Sequence, residues 1–162
     1  MKKNITLEES VLQMLRERKL TLTTAESLTG GMLAARLTDV PGASNVLKQG
    51  FVTYCNRAKK KILHVKKSTL KKHGAVSKKT AREMAKNGAS ITGSAVCVSL
   101  TGNAGPAPSE NKPVGLVYIA CSYNKKVTVQ EHHLQGNRAQ IREQAVEKAL
   151  TLLRDCILAK DN

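Results

Sequence analysis

The chain of 162 residues has no tryptophan, one phenylalanine and three tyrosines. That leaves few flat side chains on which the bases of a single-stranded nucleic acid would stack. No apolar run approaches the ~18 residues that a membrane-spanning helix needs, so no membrane span is expected. The basic start Met1-Lys2-Lys3-Asn4 is followed by Thr6-Leu7-Glu8-Glu9-Ser10, where a secretory leader would have an apolar block. That points to the cytoplasm. Cys55, Cys97, Cys121 and Cys156 form no C-x-x-C pair, which argues against a zinc or thioredoxin-like site and for reduced thiols. His64, His73, His132 and His133 lack metal-ligand spacing, and the adjacent pair would face opposite sides of a strand. Neither a metal nor a cofactor is expected.

Acidic residues are also scarce: 12 Asp and Glu stand against 27 Lys and Arg, a net charge of +15. Residues 57–82 hold eleven Lys or Arg and no acid. Such a block can meet nucleic acid, an anionic membrane or an acidic partner. No helix-turn-helix, zinc-finger or RNA-binding signature accompanies it. It reads first as a solvated basic face that also attracts phosphorylated small molecules, with nucleic acid the lesser alternative.

What is present is ordinary for a soluble globular protein, 41% apolar and 24% charged, and the length suits one domain over residues 1–162. Thr6 and Glu9 form a capping box for a helix over about 6–18, with Leu7, Val11, Met14 and Leu15 on one face. Expected next are a strand over 20–25, a helix over 28–38, and a turn over 39–44. A strand over 46–54 follows, where Gly50 marks a close backbone approach. Asn56 would cap a helix through Leu63; basic helical segments lie at 68–73 and, capped by Ser77, at 78–90. Residues 95–100 are an apolar run of strand length, as in a central strand buried on both faces. A glycine loop follows, then a hairpin of 114–123 and 127–134 joined by Asn124-Lys125-Lys126. From near Arg138 the stripe Ile141, Ala145, Ala149, Leu152, Leu153, Cys156 and Ile157 marks a last helix. This order predicts a three-layer α/β/α sandwich with a mixed sheet. Ligands in such sheets gather where loops leave the C-terminal strand ends, so the turns at Ser27, Tyr54 and Thr101 are expected to share one pocket.

The stretch Thr24-Ala25-Glu26-Ser27-Leu28-Thr29-Gly30-Gly31 carries the chemistry. A strand that turns sharply into a helix leaves free N–H groups facing an anion or oxyanion, and the paired glycines let backbone approach a ligand. The plainer reading makes Ser27 or Thr29 an ordinary helix cap. Lys59 is expected at the third position of the helix capped by Asn56. There the helix dipole and partial burial would lower its proton affinity toward that of a base. A serine that gives its proton to a neutral lysine is a known variant of the catalytic triad, and Tyr54 could relay the proton or orient the lysine. The plainer reading leaves Lys59 exposed with Lys60 and Lys61.

These residues resemble the signature of the CinA C-terminal domain family, the nicotinamide-nucleotide amidases. The likeness continues through Leu37-Thr38-Asp39-Val40-Pro41-Gly42-Ala43-Ser44 and Gly50-Phe51-Val52-Thr53-Tyr54-Cys55-Asn56-x-Ala58-Lys59. It goes on through His73-Gly74-Ala75-Val76-Ser77, Thr101-Gly102-x-Ala104-Gly105-Pro106, Lys112-Pro113-Val114-Gly115 and Gly136-x-Arg138-x-x-Ile141-Arg142. It covers about residues 20–150. The resemblance implies hydrolysis of the carboxamide of nicotinamide mononucleotide, with Ser27 as nucleophile, Lys59 as base and Tyr54 as their hydrogen-bonding partner. Glu26, Thr29, Gly30, Gly31, Ser44, Thr101, Gly102, Ala104 and Gly105 are the expected pocket residues. Arg138 or Arg142 would hold the 5′-phosphate or serve in a surface ion pair. Three departures stand out: Leu28 for the usual Cys, Asn103 for Ile and Asn137 for Asp. In addition, the segment Ala107-Pro108-Ser109-Glu110-Asn111 replaces a glycine-rich loop. The molybdopterin-binding-like domain of some relatives has no counterpart here, so its activity is not expected. Two other readings stand beside the amidase: a binding protein for nucleic acid or a repair partner through 57–82, and a serine amidase for another amide. A homodimer is expected from the family habit and an exposed hairpin edge.

Overall fold

The computed structural model describes residues 3–159. Helix α1 (Leu7–Glu17) begins at the expected capping box: the Thr6 hydroxyl accepts from the Glu9 N–H, and the Glu9 carboxylate accepts from the Thr6 N–H. β1 (Leu22–Glu26), α2 (Met32–Thr38), a 3₁₀ turn (Ala43–Asn45), β2 (Leu47–Val52), α3 (Asn56–Leu63), α4 (Lys67–His73) and α5 (Lys78–Thr92) follow. Then come β3 (Val96–Gly102), β4 (Leu116–Tyr123), β5 (Lys126–His133) and α6 (Arg138–Leu158). The sheet order is β2-β1-β3-β4-β5; β2, β1 and β3 run parallel, and β4 and β5 are antiparallel additions. The expected mixed α/β sheet is therefore present.

The layers follow from side-chain alternation along the strands. Val117, Ile119 and Cys121 of β4 join Leu12, Leu15, Leu33, Leu37, Ala149 and Leu153 in the main core with α1, α2 and α6. Ala25, Cys97 and Ala120 point the other way, toward α3 and α5. On that side Gly88 lets α5 lie against the sheet, because a Cβ there would sit 2.7 Å from the Cys97 sulfur. Gly50 has the expected role on the opposite side, where a Cβ would come within 3.0 Å of the Thr24 hydroxyl and 3.4 Å of the Ala34 methyl. The central strands are buried on both faces, as the apolar run in β3 predicts. In β1, however, three buried residues are polar: Thr23, Thr24 and Glu26.

The boundaries differ from expectation in instructive ways. β1 starts at Leu22, two residues late, because Lys19 has positive φ at the α1–β1 turn. α2 starts at Met32 rather than Leu28, since residues 27–31 form a turn. Cys55 occupies the cap position of α3 without a side-chain bond, so Asn56 is its first helical residue and Lys59 its fourth. The hairpin turn is only two residues, Asn124 (φ 54°) and Lys125 (φ 60°), and Lys126 already pairs with Tyr123. Two left-handed residues are what the twist of a tight hairpin selects. Among the described residues no helix is long and apolar enough to cross a membrane.

Candidate active site

The parallel strands β1, β2 and β3 all end on one side of the sheet, where Glu26 lies beside Val52 and Leu100. The chain leaving β1 is held there at once, because the Ser27 N–H donates to the Leu100 carbonyl at 3.0 Å. Gly30 (φ 57°) and Gly31 (φ 102°) then turn it back in left-handed conformations that suit glycine. Below the turn the fully buried Glu26 carboxylate accepts from the Thr29 hydroxyl (2.6 Å), the Leu33 N–H (2.9 Å) and the Ala34 N–H (3.1 Å). It therefore caps α2 from the preceding strand, with its negative charge at the positive helix end. Neither Ser27 nor Thr29 takes the capping role, and Gly31 at the cap position has no side chain to offer. Above the turn Arg142 donates to the carbonyls of Leu28 (2.9 Å) and Thr29 (3.2 Å).

Against this braced turn α3 delivers Lys59. The three consecutive lysines have different fates, because Lys59 and Leu63 share the inward face while Lys60 and Lys61 face water. Lys59 is only 1% exposed, and its Nζ donates to Ser27 Oγ and to the Thr53 carbonyl, each at 2.8 Å. Burial disfavours the ammonium and pulls the Lys59 pKa down to about 8, against the opposing charges of Cys55 and Glu110. A primary amine and a hydroxyl thus share one buried contact, and the amine loses its proton within reach of neutral pH.

The contact opens into a cleft of about 250 Å³. The far wall is the segment after β3. The Asn103 Oδ1 accepts from the Gly105 N–H at 3.0 Å and its Nδ2 donates to the Ala107 carbonyl at 3.3 Å. Gly102 is required there, since a Cβ would meet the Leu116 carbonyl at 2.8 Å. Thr101 donates its hydroxyl to the Ala75 carbonyl at 2.8 Å. Glu110 ties the loop to the α4–α5 connection, accepting from the N–H groups of Ala75 (2.9 Å) and Val76 (3.1 Å). Burial would raise its carboxyl pKa, but those two donors and Lys112 outweigh it and hold the group below its ordinary value. Arg138 stands on the rim, donating to the Gly105 carbonyl at 2.6 Å and to the Tyr54 hydroxyl at 2.9 Å.

Of the expected residues, Ser27, Lys59, Tyr54, Thr101, Gly102, Ala104 and Arg138 line this cleft together. The role expected of Tyr54, and the places expected of the other residues, need correction. Tyr54 is 61% exposed and its hydroxyl meets Arg138, not Ser27 or Lys59, because the side chain leaves β2 toward the rim. Glu26 and Thr29 are sealed beneath the turn and bond each other, so they shape it from below rather than face a ligand. Gly30 and Gly31 form the bend itself, and the Gly105 backbone is occupied by Asn103 and Arg138. Arg142 forms no ion pair among the described residues; its guanidinium donates to turn carbonyls. Ser44 lies before β2, near Leu22 and Leu47, at the opposite end of the parallel strands from Ser27. Thr53, Asn103 and Glu110 belong to the site and were not expected in it. Two of them occupy positions noted only as departures from a family pattern, and the third contributes a backbone carbonyl. Among the described residues no group of three His, Cys, Asp or Glu is placed to hold a metal ion.

Known proteins share this sequence and this fold. The family model for the CinA C-terminal domain matches residues 4–157. A competence-damage inducible protein of Clostridium novyi is 48% identical over 157 residues, which are 96% of this chain and 38% of that protein. One of Caldanaerobacter subterraneus is 50% identical over 149 residues, 91% of this chain and 36% of that protein. The chain thus spans well under half the length of these relatives. The crystal structure of the competence/damage inducible protein CihA of Agrobacterium tumefaciens superposes with a TM-score of 0.90 at 37% identity, covering 94% of each chain. That of a CinA superfamily protein from Klebsiella pneumoniae gives 0.91 at 32% identity, covering 93% of this chain and 95% of the other. Matched over nearly its whole length in sequence and in fold, the chain belongs to the CinA C-terminal domain family.

Proposed function

We propose that the protein is an amidohydrolase that converts nicotinamide mononucleotide to nicotinate mononucleotide and ammonia. The observation that carries this reading is the 2.8 Å contact between Ser27 Oγ and a buried Lys59 whose pKa is about 8. With Lys59 neutral the bond reverses direction, and the Ser27 hydroxyl donates to the amine. Attack of Oγ on the carboxamide carbon then moves that proton to Nζ. The N–H groups of Leu28, Thr29 and Gly31 have no backbone acceptor among the described residues, and of these residues Leu28 lines the cleft beside Ser27, so the Leu28 N–H is the donor assigned to the oxyanion. The Gly30 N–H is not available, because it donates to the Ser27 carbonyl. The lysine ammonium returns its proton to the departing nitrogen, and water cleaves the acyl-serine with the amine again as base. Arg138, at the rim, is the cation assigned to the 5′-phosphate; it would exchange Tyr54 for the ligand.

The substrate assignment rests on family membership, whereas the nucleophile–base pair rests on geometry. The test is ammonia release from nicotinamide mononucleotide and from a panel of other small amides by wild type, Ser27→Ala and Lys59→Met. Activity lost in both variants supports the mechanism. A folded wild type that is inactive on nicotinamide mononucleotide but active on another amide corrects the substrate alone, and inactivity on all of them overturns the proposal.

A second reading, binding of duplex nucleic acid, is favoured by one observation. Residues 56–92, which contain α3, α4 and α5, carry twelve of the chain's Lys and Arg and one acid, Glu83. That places a net charge of +11, out of the chain's +15, on one layer. A salt titration of duplex binding decides it: affinity that vanishes at moderate salt removes a specific role.

A further inference from the structure

Two cysteines that the proposed chemistry does not use meet on the other side of the sheet. Cys121 sits on β4 directly opposite Thr128 of β5, with its side chain on the α6 face. From α6, Cys156 comes down over both. The two thiols and the Thr128 side chain line the same space between β4, β5 and α6. They line a cavity of about 500 Å³ whose mouth carries Lys126 and Asp155. Cys121 is buried and Cys156 half-buried, so small solutes reach the second thiol and not the first.

The two thiols are also unequal in acidity. The neighbouring Cys121 thiol, with help from Thr128 and the charge of Lys126, outweighs burial and Asp155 and brings Cys156 down to about 7. The same contact, together with burial, pushes Cys121 well up. This division of labour suits a nucleophile and its resolving partner, because the thiolate is the reactive form. The remaining cysteines lack it. Cys97 lies on the opposite face, buried and pushed up to about 12, and Cys55 is exposed at the start of α3.

We propose that Cys156 is a modification site for hydroperoxides and that Cys121 is its resolving thiol. The Cys156 thiolate attacks one peroxide oxygen; an S–O bond forms, the O–O bond breaks, and the second oxygen leaves as hydroxide or water. Cys156 becomes a sulfenic acid, two electrons more oxidised. The Cys121 sulfur then attacks the Cys156 sulfur. The S–S bond forms, the S–O bond breaks, and the departing hydroxide takes the Cys121 proton as water. One peroxide and two thiols give one disulfide and two waters. The site lies ~27 Å along α6 from Arg138, counting 1.5 Å for each residue, so it is separate from the cleft.

The experiment treats the full chain with a slight excess of hydrogen peroxide, then uses intact mass and peptide mapping without reductant. The expected result is a loss of about 2 Da, a linked peptide pair holding Cys121 and Cys156, and full reversal by dithiothreitol. In Cys121→Ala the reaction should stop at a sulfenic acid on Cys156, captured by dimedone, while Cys156→Ser should leave Cys121 unmodified. Ammonia release by Cys156→Ser should match wild type. Oxidation confined to Cys55, dimedone capture anywhere but Cys156 in Cys121→Ala, or a modified Cys156 with no link to Cys121 would overturn the proposal. The wild-type link is read without any substitution, so poor folding of a variant does not remove the test.

Discussion

The two walls of the cleft are held in different ways. The Ser27 wall, residues 27–31, is braced mainly by its own neighbours in the chain: Glu26 below, two glycines in the bend and α2 behind, with the Leu100 carbonyl and Arg142 as distant clamps. The facing wall, residues 103–112, contains little regular structure. It hangs on Asn103, on Glu110 bonded 34 and 35 residues back to Val76 and Ala75, and on Lys112, whose Nζ donates to the carbonyls of His73 and Val76. One wall is a local motif, and the other is a strap anchored elsewhere. The difference teaches where the site tolerates change. Substitutions in the strap should alter how substrate is held, whereas substitutions in the turn should abolish chemistry or folding.

The largest expected effects follow from the first wall. Ser27→Ala and Lys59→Met should each lower kcat/KM by about four orders of magnitude or more, because the proposed nucleophile and base would act as a unit. They should differ in stability. The folded pKa of Lys59, about 8, lies below the ordinary 10.5, so the fold disfavours its proton. That cost is fully present below pH 8 and disappears as pH rises from about 8 to 10.5; stability from this group therefore increases through that window. Lys59→Met removes the cost and should raise stability at pH 7 by about 2 kcal/mol after the loss of two hydrogen bonds. Thermal unfolding of the inactive variant measures it, and a lower melting temperature would contradict the buried-ammonium account.

Glu26→Gln comes next. It replaces a charge that satisfies three donors, at an expected cost of about 3 kcal/mol, with activity falling as the turn loosens. Circular dichroism melts together with kcat separate the two losses. The pH dependence of kcat/KM should then rise through a midpoint at about 8, falling tenfold for each unit below it, since the free amine is the proposed base. A flat profile between pH 6 and 9 would place the base elsewhere.

The strap should give the smallest effects. Asn103→Ala removes two loop bonds and should cost about 1–2 kcal/mol, expressed mainly as a raised KM. Glu110→Gln should change activity by less than tenfold while moving the pH midpoint below that of wild type. The reason is that the Glu110 charge opposes the burial that lowers Lys59. An upward shift would reverse the sign of that coupling. If the strap variants proved as damaging as those in the turn, the contrast between the walls would fail.

Residues near in the chain were the legible part of the site. The capping box of α1, the Ser77 cap of α5, the apolar run of β3 and the glycine bend after β1 depend on spacing within a few residues. Glu26 marks the limit even there. Its type and position suggested a pocket carboxylate, but the deciding fact is that α2 begins five residues later than Ser27, with its first N–H groups lying over β1. Ser44 fails for a related reason. A pattern that places it in a block resembling a family says nothing about which end of β2 faces the cleft, and strand direction sends it to the other end.

By itself, the sequence determined the order of helices and strands, the parallel core with its added hairpin, and the convergence of three strand ends on one side. Periodicity and turn chemistry are local, so they survive without knowledge of the packing. Only the tertiary structure decided which of three adjacent lysines loses its water and meets a serine 32 residues away. It also decided that an arginine braces the turn and that two thiols share a cavity. Those outcomes depend on how α3 and α6 lie against the strand ends, and burial and proton affinity exist only once those surfaces have closed.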